Sequence, residues 1–286
     1  MPPVRPHPTT TLPFIAPHDR IVAAHAGVPD RWAFVCHGIL GSRRNWRSFA
    51  RRLVDAHPDL GVITVDLRNH GDSPPTDGPH TLAACAADLG ALAHHLGIQP
   101  AVLIGHSFGG KVVLQRASEL PPCLEQVWVL DSRPEPMTAQ EVQDSDVRQV
   151  ISTLKRLPRK YAKRDDVVRI FSDQGFSRTL ALWMTTNLRR QPGDGYVWRF
   201  DLDGVIAMIT DYYRSDLREV LTLPVPNLQV HVVRAENSHR WPASVLQWFH
   251  QLPAGAPGRL HLLPDSGHWV HVDNPDGLLD LMDAEL

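Results

Sequence analysis

The sequence predicts an α/β fold: a mostly parallel central sheet flanked by helices, interrupted by an inserted helical segment. Two observations carry this. Short apolar runs end abruptly in Gly, Asp, Arg, Pro or His, and amphipathic helical patterns separate them. The runs cover residues 32–36, 62–65, 101–104, 127–130, 228–233 and 260–263. Continuous rather than alternating runs suit strands buried on both faces, as in a parallel sheet. Between two of them, Thr81 is placed to cap a helix carrying Leu82, Cys85, Ala86, Leu89, Leu92 and Leu96 at spacings of three and four, with Gly97 as its stop. A second helix over residues 110–120 ends at Pro121 and Pro122. The chain has 286 residues, enough for one large α/β domain with an insertion.

From residue 133 to residue 221 the rhythm changes. Helical patterns cover 147–157, 166–171, 177–188 and 205–213, with no convincing buried strand. Strand patterns resume after Pro224 and Pro226. The expected division is therefore a core of residues 1–132 and 222–286 and a helical cap of residues 133–221. Ligands in such sheets bind at the carboxyl ends of the strands, where a cap would sit. The 25 prolines cluster at element ends and read as punctuation.

Composition narrows the function classes. Lys and Arg number 29 against 31 for Asp and Glu, a formal net charge of -2. That balance argues against a dedicated nucleic-acid or membrane-surface protein. Cys36, Cys85 and Cys123 have no CxxC spacing, so a reducing compartment and a cytoplasmic location are expected. The N-terminus offers no apolar run of signal-peptide length, and no stretch is long and apolar enough to span a membrane.

The chemical signal is Gly105-His106-Ser107-Phe108-Gly109, a G-x-S-x-G sequence between an apolar run and a helix. That context is a nucleophile elbow, whose tight turn needs its glycines. A serine hydroxyl requires a base. Among 16 histidines the best placed is His268, in the loop after the last strand run. No Cys, Asp or Glu set completes a metal site around His268 and His271, and no metal or cofactor is expected. The acid is less direct. The loop after residues 228–233 reads Ala235-Glu236-Asn237-Ser238, with serine where an aspartate is usual. Asp131, ending the run 127–130, can reach the histidine from beside the elbow, because a triad is defined by geometry. Asp131 is the favoured acid, with Ser238 as an auxiliary partner of His268 and Glu236 as a competitor. Oxyanion donors are expected at the N–H of Phe108 and at the loop His37-Gly38-Ile39-Leu40-Gly41. Ile39 is favoured there, with Leu40 the alternative donor and a pocket residue. Trp183 and Trp198 of the cap are candidates to line a substrate pocket.

These motifs, together with Asp66-Leu67-Arg68-Asn69-His70-Gly71-Asp72-Ser73 and Gly267-His268-Trp269-Val270-His271, resemble the α/β-hydrolase superfamily, especially small YbfF-like esterases and related abhydrolase-domain proteins. The matching motifs span about residues 30–134 and 227–275. The resemblance implies an α/β-hydrolase fold, Ser107 as nucleophile, His268 as base, and Asp131 and Ser238 beside it. The Gly-Gly usual before Asn-Ser is Ala235-Glu236 here, which keeps Glu236 in play. The expected activity is hydrolysis of small carboxylic esters through an acyl-enzyme. Thioester, carbon–carbon or perhydrolytic chemistry on the same residues is the alternative, and a ligand-binding receptor of this fold is the non-enzymatic one.

Overall fold

All six apolar runs become strands of one sheet. The computed structural model describes residues 14–25, 27–193 and 195–286; the N-terminal reading of residues 1–13 lies outside them. The strands of the large sheet are β1 (His18–Ile21), β2 (Arg31–Cys36), β3 (Leu60–Val65), β4 (Val102–His106), β5 (Gln126–Leu130), β9 (Gln229–Ala235) and β10 (Gly258–Leu263), in the order β1-β3-β2-β4-β5-β9-β10. Six of these strands run parallel. The edge strand β1 pairs antiparallel with β3 and adds an element absent from the sequence reading. Its half-exposed His-Asp-Arg-Ile carries no apolar run to announce it.

Alternate residues of each strand feed opposite faces, as the pleat requires. Phe34, Ile63, Leu103, Val127 and Val129 belong to one buried cluster, whereas Val35, Val62, Ile104, Trp128 and Leu130 belong to the other. Helices α2 (Leu82–Leu96) and α3 (Phe108–Ser118) supply the first cluster; α1 (Arg47–Ala56) and α12 (Pro275–Asp283) supply the second. Thr81 caps α2 by accepting from Ala84 N at 3.2 Å, and Gly97 ends it in the left-handed conformation at φ 66°.

The stretch between residues 133 and 221 holds α4 (Ala139–Gln143), α5 (Asp146–Leu154), α6 (Arg164–Asp173), α7 (Arg178–Thr185), α8 (Leu202–Arg214) and α9 (Glu219–Thr222). It also holds a three-stranded antiparallel sheet that the helical reading did not contain. Its strands β6 (Lys160–Tyr161), β7 (Leu188–Gln191) and β8 (Gly195–Trp198) are ordered β6-β8-β7. The reason is compositional: Arg189, Arg190 and Gln191 are exposed, so no buried apolar run marks β7. The expected helix over 177–188 consequently stops at Thr185, and Leu188 opens a strand. The remaining helices are α10 (Ala243–His250) and α11 (Val270–Asp273). No helix among the described residues is long and apolar enough to cross a membrane.

One buried ammonium ties this segment to the sheet layer. Lys111 on α3 donates to Glu135 O at 2.8 Å, Tyr212 O at 2.9 Å and Ser215 O at 2.8 Å. Burial pushes its pKa down to about 8, against the attraction of the Glu135 carboxylate. Lys111→Met keeps the length but strands three carbonyls away from water. We expect a loss of about 2–4 kcal/mol in urea unfolding, since each abandoned buried acceptor is costly. A change within experimental error would show that this tie is dispensable.

Candidate active site

The strand order reverses between β2 and β4, and the carboxyl ends at this point carry the candidate residues. Register aligns those ends: His106 pairs with Leu130, and Leu130 with Val233. Ser107 stands between β4 and α3 with φ 52° and ψ -116°. A side chain in this left-handed region is strained, and here the turn around it enforces the conformation. A Cβ at Gly105 would lie 2.1 Å from Gly109 O, and one at Gly109 would lie 2.6 Å from both Cys36 O and His37 O. The elbow therefore requires both glycines to let β4, α3 and the end of β2 converge.

Asp131 ends β5 with a fully buried carboxylate whose two oxygens accept four hydrogen bonds. Oδ2 accepts from His268 Nδ1 at 2.7 Å and Ser238 Oγ at 2.7 Å; Oδ1 accepts from Trp241 Nε1 at 2.7 Å and Ala235 N at 3.1 Å. Burial raises its pKa, but the bonds from His268, Trp241 and Ser238 outweigh it and hold the carboxyl below its usual value. Ser238 thus bonds the carboxylate rather than the imidazole, a correction to its expected partner. Its hydroxyl donates where only the carboxylate offers a lone pair. Glu236 is turned away: it is exposed, and its Oε2 accepts from Asp265 N at 3.0 Å. Trp241 was not read from the sequence, because one of eight tryptophans in a loop has no distinguishing spacing.

His268 follows β10 and lines one cavity of about 690 Å³ together with Ser107, Ile39, Leu40 and Trp183. Ser107 Oγ makes no hydrogen bond to His268 among the described residues; the two share the cavity wall. The ring of His268 lies 4.7 Å from that of His106, whose Nε2–H donates to His268 O at 2.7 Å. Burial lowers the pKa of His268 and the charge of Arg240 lowers it further, against the pull of Asp131.

Two buried histidines set the loop after β2. His37 Nδ1–H donates to Gly38 O at 2.7 Å, leaving Nε2 to accept from Leu67 N at 3.1 Å. His70 Nδ1–H donates to Arg68 O at 2.9 Å, leaving Nε2 to accept from Leu40 N at 3.0 Å. Burial pushes their pKa values down to about 4 and about 3, so both rings are neutral. The Leu40 N–H is thereby consumed and is removed as an alternative oxyanion donor. The N–H groups of Ile39 and Phe108 have no partner among the described residues.

Trp183 borders the cavity and faces Trp269 at 5.9 Å between rings. Trp198 does not border it. It stacks on Phe200 at 5.0 Å and meets Tyr161 edge-on at 5.4 Å, because β8 pairs between β6 and β7 and turns this ring into the segment's own packing. Among the described residues, His231, His261 and Glu285 form the group whose ligand atoms, within 4.8 Å of one another, could share a metal ion. None of them borders this cavity.

A parallel sheet with a serine turn at the strand-order reversal and a histidine loop after the last strand is the α/β-hydrolase architecture. The chain belongs to the alpha/beta hydrolase family, whose model matches residues 33–281. It is 28% identical over 255 residues to a mouse protein named sn-1-specific diacylglycerol lipase ABHD11, covering 87% of this chain and 79% of that one. It is 26% identical over 268 residues to the esterase YbfF of Escherichia coli, covering 85% of this chain and 88% of that one. It is 29% identical over 248 residues to the lipase LipV of Mycobacterium tuberculosis, covering 84% and 87%. A solved marine microorganism esterase superposes with a TM-score of 0.81 at 21% identity, over 96% of this chain and all of that one, a likeness of fold.

Proposed function

We propose that this protein is a serine hydrolase of small carboxylic esters, with residues 133–221 acting as a cap over the site. The observation that carries the reading is the 2.7 Å bond from His268 Nδ1 to a buried, otherwise saturated Asp131. That bond fixes the tautomer in which Nε2 carries the lone pair a general base needs. The relatives named esterase and lipase support the same class.

In the proposed reaction Ser107 Oγ attacks the ester carbonyl while His268 Nε2 takes its proton. The oxyanion accepts from the N–H groups of Ile39 and Phe108. The first of α3's N–H groups is otherwise unsatisfied, so it costs no rearrangement to use. His268 then protonates the departing alcohol and activates water to release the acid. Asp131 remains ionised throughout and stabilises the imidazolium.

The test is covalent. A fluorophosphonate probe should label the intact protein stoichiometrically, with the adduct mapped by peptide mass to Ser107. Labelling elsewhere, or none, would remove the nucleophile from the proposal.

A further inference from the structure

We infer that Arg240 anchors an ionised carboxylate on the substrate, so that the enzyme selects esters bearing a second, free carboxyl group over neutral esters of matched length. This rests on the hydrolase reading above and adds a substrate class to it. Arg240 borders the cavity with Ser107 and His268 and is the one Lys or Arg among the described residues that do so. Its backbone is held in place: Ser238, two residues before, and Trp241, immediately after, are both hydrogen-bonded to the buried Asp131. The guanidinium is therefore delivered from a fixed base beside the histidine.

Its ion-pair partner, also bordering the cavity, is Asp146, the first residue of α5, at 3.8 Å. The Asp146 side chain is 85% exposed. An exposed pair at that separation contributes little and is readily exchanged. Asp146 thus stands where a ligand carboxylate would sit, and a planar carboxylate can engage the guanidinium fork through two N–H bonds. The other acid at the cavity, Asp273, already accepts from Gly267 N at 3.0 Å.

The rest of the wall is mixed: Leu40, Val147, Val150 and Leu180 are apolar, and Gln149 and Thr179 are polar and neutral. A neutral chain filling this space would exclude water from Arg240 and leave it only the long, exposed contact to Asp146, whereas a carboxylate would supply hydrogen bonds. The Arg240 charge also opposes protonation of His268. A bound carboxylate offsets that charge and favours the imidazolium formed as Ser107 attacks, so the benefit appears in kcat as well as KM.

Two matched pairs of esters test this, with the charge on the acyl or on the alcohol side: mono-p-nitrophenyl glutarate against p-nitrophenyl valerate, and acetoxybutyrate against butyl acetate. The readout is the kcat/KM ratio within a pair, which does not depend on the active fraction of a variant. In the wild type at least one pair should favour the charged ester by about tenfold or more, the scale of hydrogen bonds to charged groups. Arg240→Gln should bring that ratio to one or below, Arg240→Lys should fall between, and Asp146→Asn should raise it by removing the competing carboxylate. Ratios near one for both wild-type pairs, or an unchanged preference in Arg240→Gln, would overturn the inference. Undiminished hydrolysis of both esters by Ser107→Ala is a different outcome and would overturn the nucleophile assignment instead.

Discussion

Ser107→Ala is expected to lower kcat/KM for a short aryl ester by about four to six decades, the usual scale for deleting a covalent nucleophile. The residual rate would come from the two oxyanion N–H groups and from substrate binding. The substitution touches little else. Alanine inherits the same strained backbone as serine, and Ser107 Oγ leaves no hydrogen-bond partner unsatisfied among the described residues. Thermal unfolding should therefore stay within about 1 kcal/mol of the wild type, as for a change away from any packed or bonded feature. Loss of activity together with loss of fold would not count as support; retained activity in a folded variant would end the assignment.

Asp131→Asn should cost about four decades in kcat, close to 5.5 kcal/mol of transition-state stabilisation. The structure says why the amide cannot substitute. Both carboxylate oxygens accept from two donors each. An amide nitrogen at Oδ2 faces the donors of His268 and Ser238; at Oδ1 it faces Trp241 and Ala235. In the first orientation the imidazole must present a lone pair at Nδ1, which puts its proton on Nε2 and disables the base. Wild-type kcat/KM should rise with pH through a midpoint below the usual 6.5, because burial and Arg240 depress His268 more than Asp131 lifts it. Removing the carboxylate should move that midpoint lower still. In stability the sign is that of a depressed acid: Asp131 contributes above its ordinary 3.8, and the contribution is lost as pH falls through its lower folded value. A harmless Asp131→Asn beside a crippled Glu236→Gln would show that the acid was misassigned.

The sheet was legible because strands buried on both faces write their position in uninterrupted apolar residues, and the elbow because two glycines frame a serine between a strand and a helix. The limits have equally physical causes. Strands β1 and β7 expose charged side chains and produce no such run. By composition Trp198 is a candidate for either the pocket or the core; strand pairing decides which way a ring faces, and no apolar run announces β6–β8. The choice of Asp131 came from where β5 must end, whereas the donors on its far side come from a loop whose shape no periodicity records. Trp241 and the true partner of Ser238 could be seen only with the chain folded.

The origin of the proposed acid has a consequence for how this scaffold can diversify. Because Asp131 is rooted on β5, the turn after β9 contributes only neutral supports, Ser238 and Trp241, through one hydroxyl and one indole N–H. Position 240 between them makes no hydrogen bond to Asp131 and acts on His268 through its charge alone. On the proposed mechanism, exchanging that side chain for a neutral one would retune the base and the substrate preference together, while the hydrogen bonds around Asp131 stay in place.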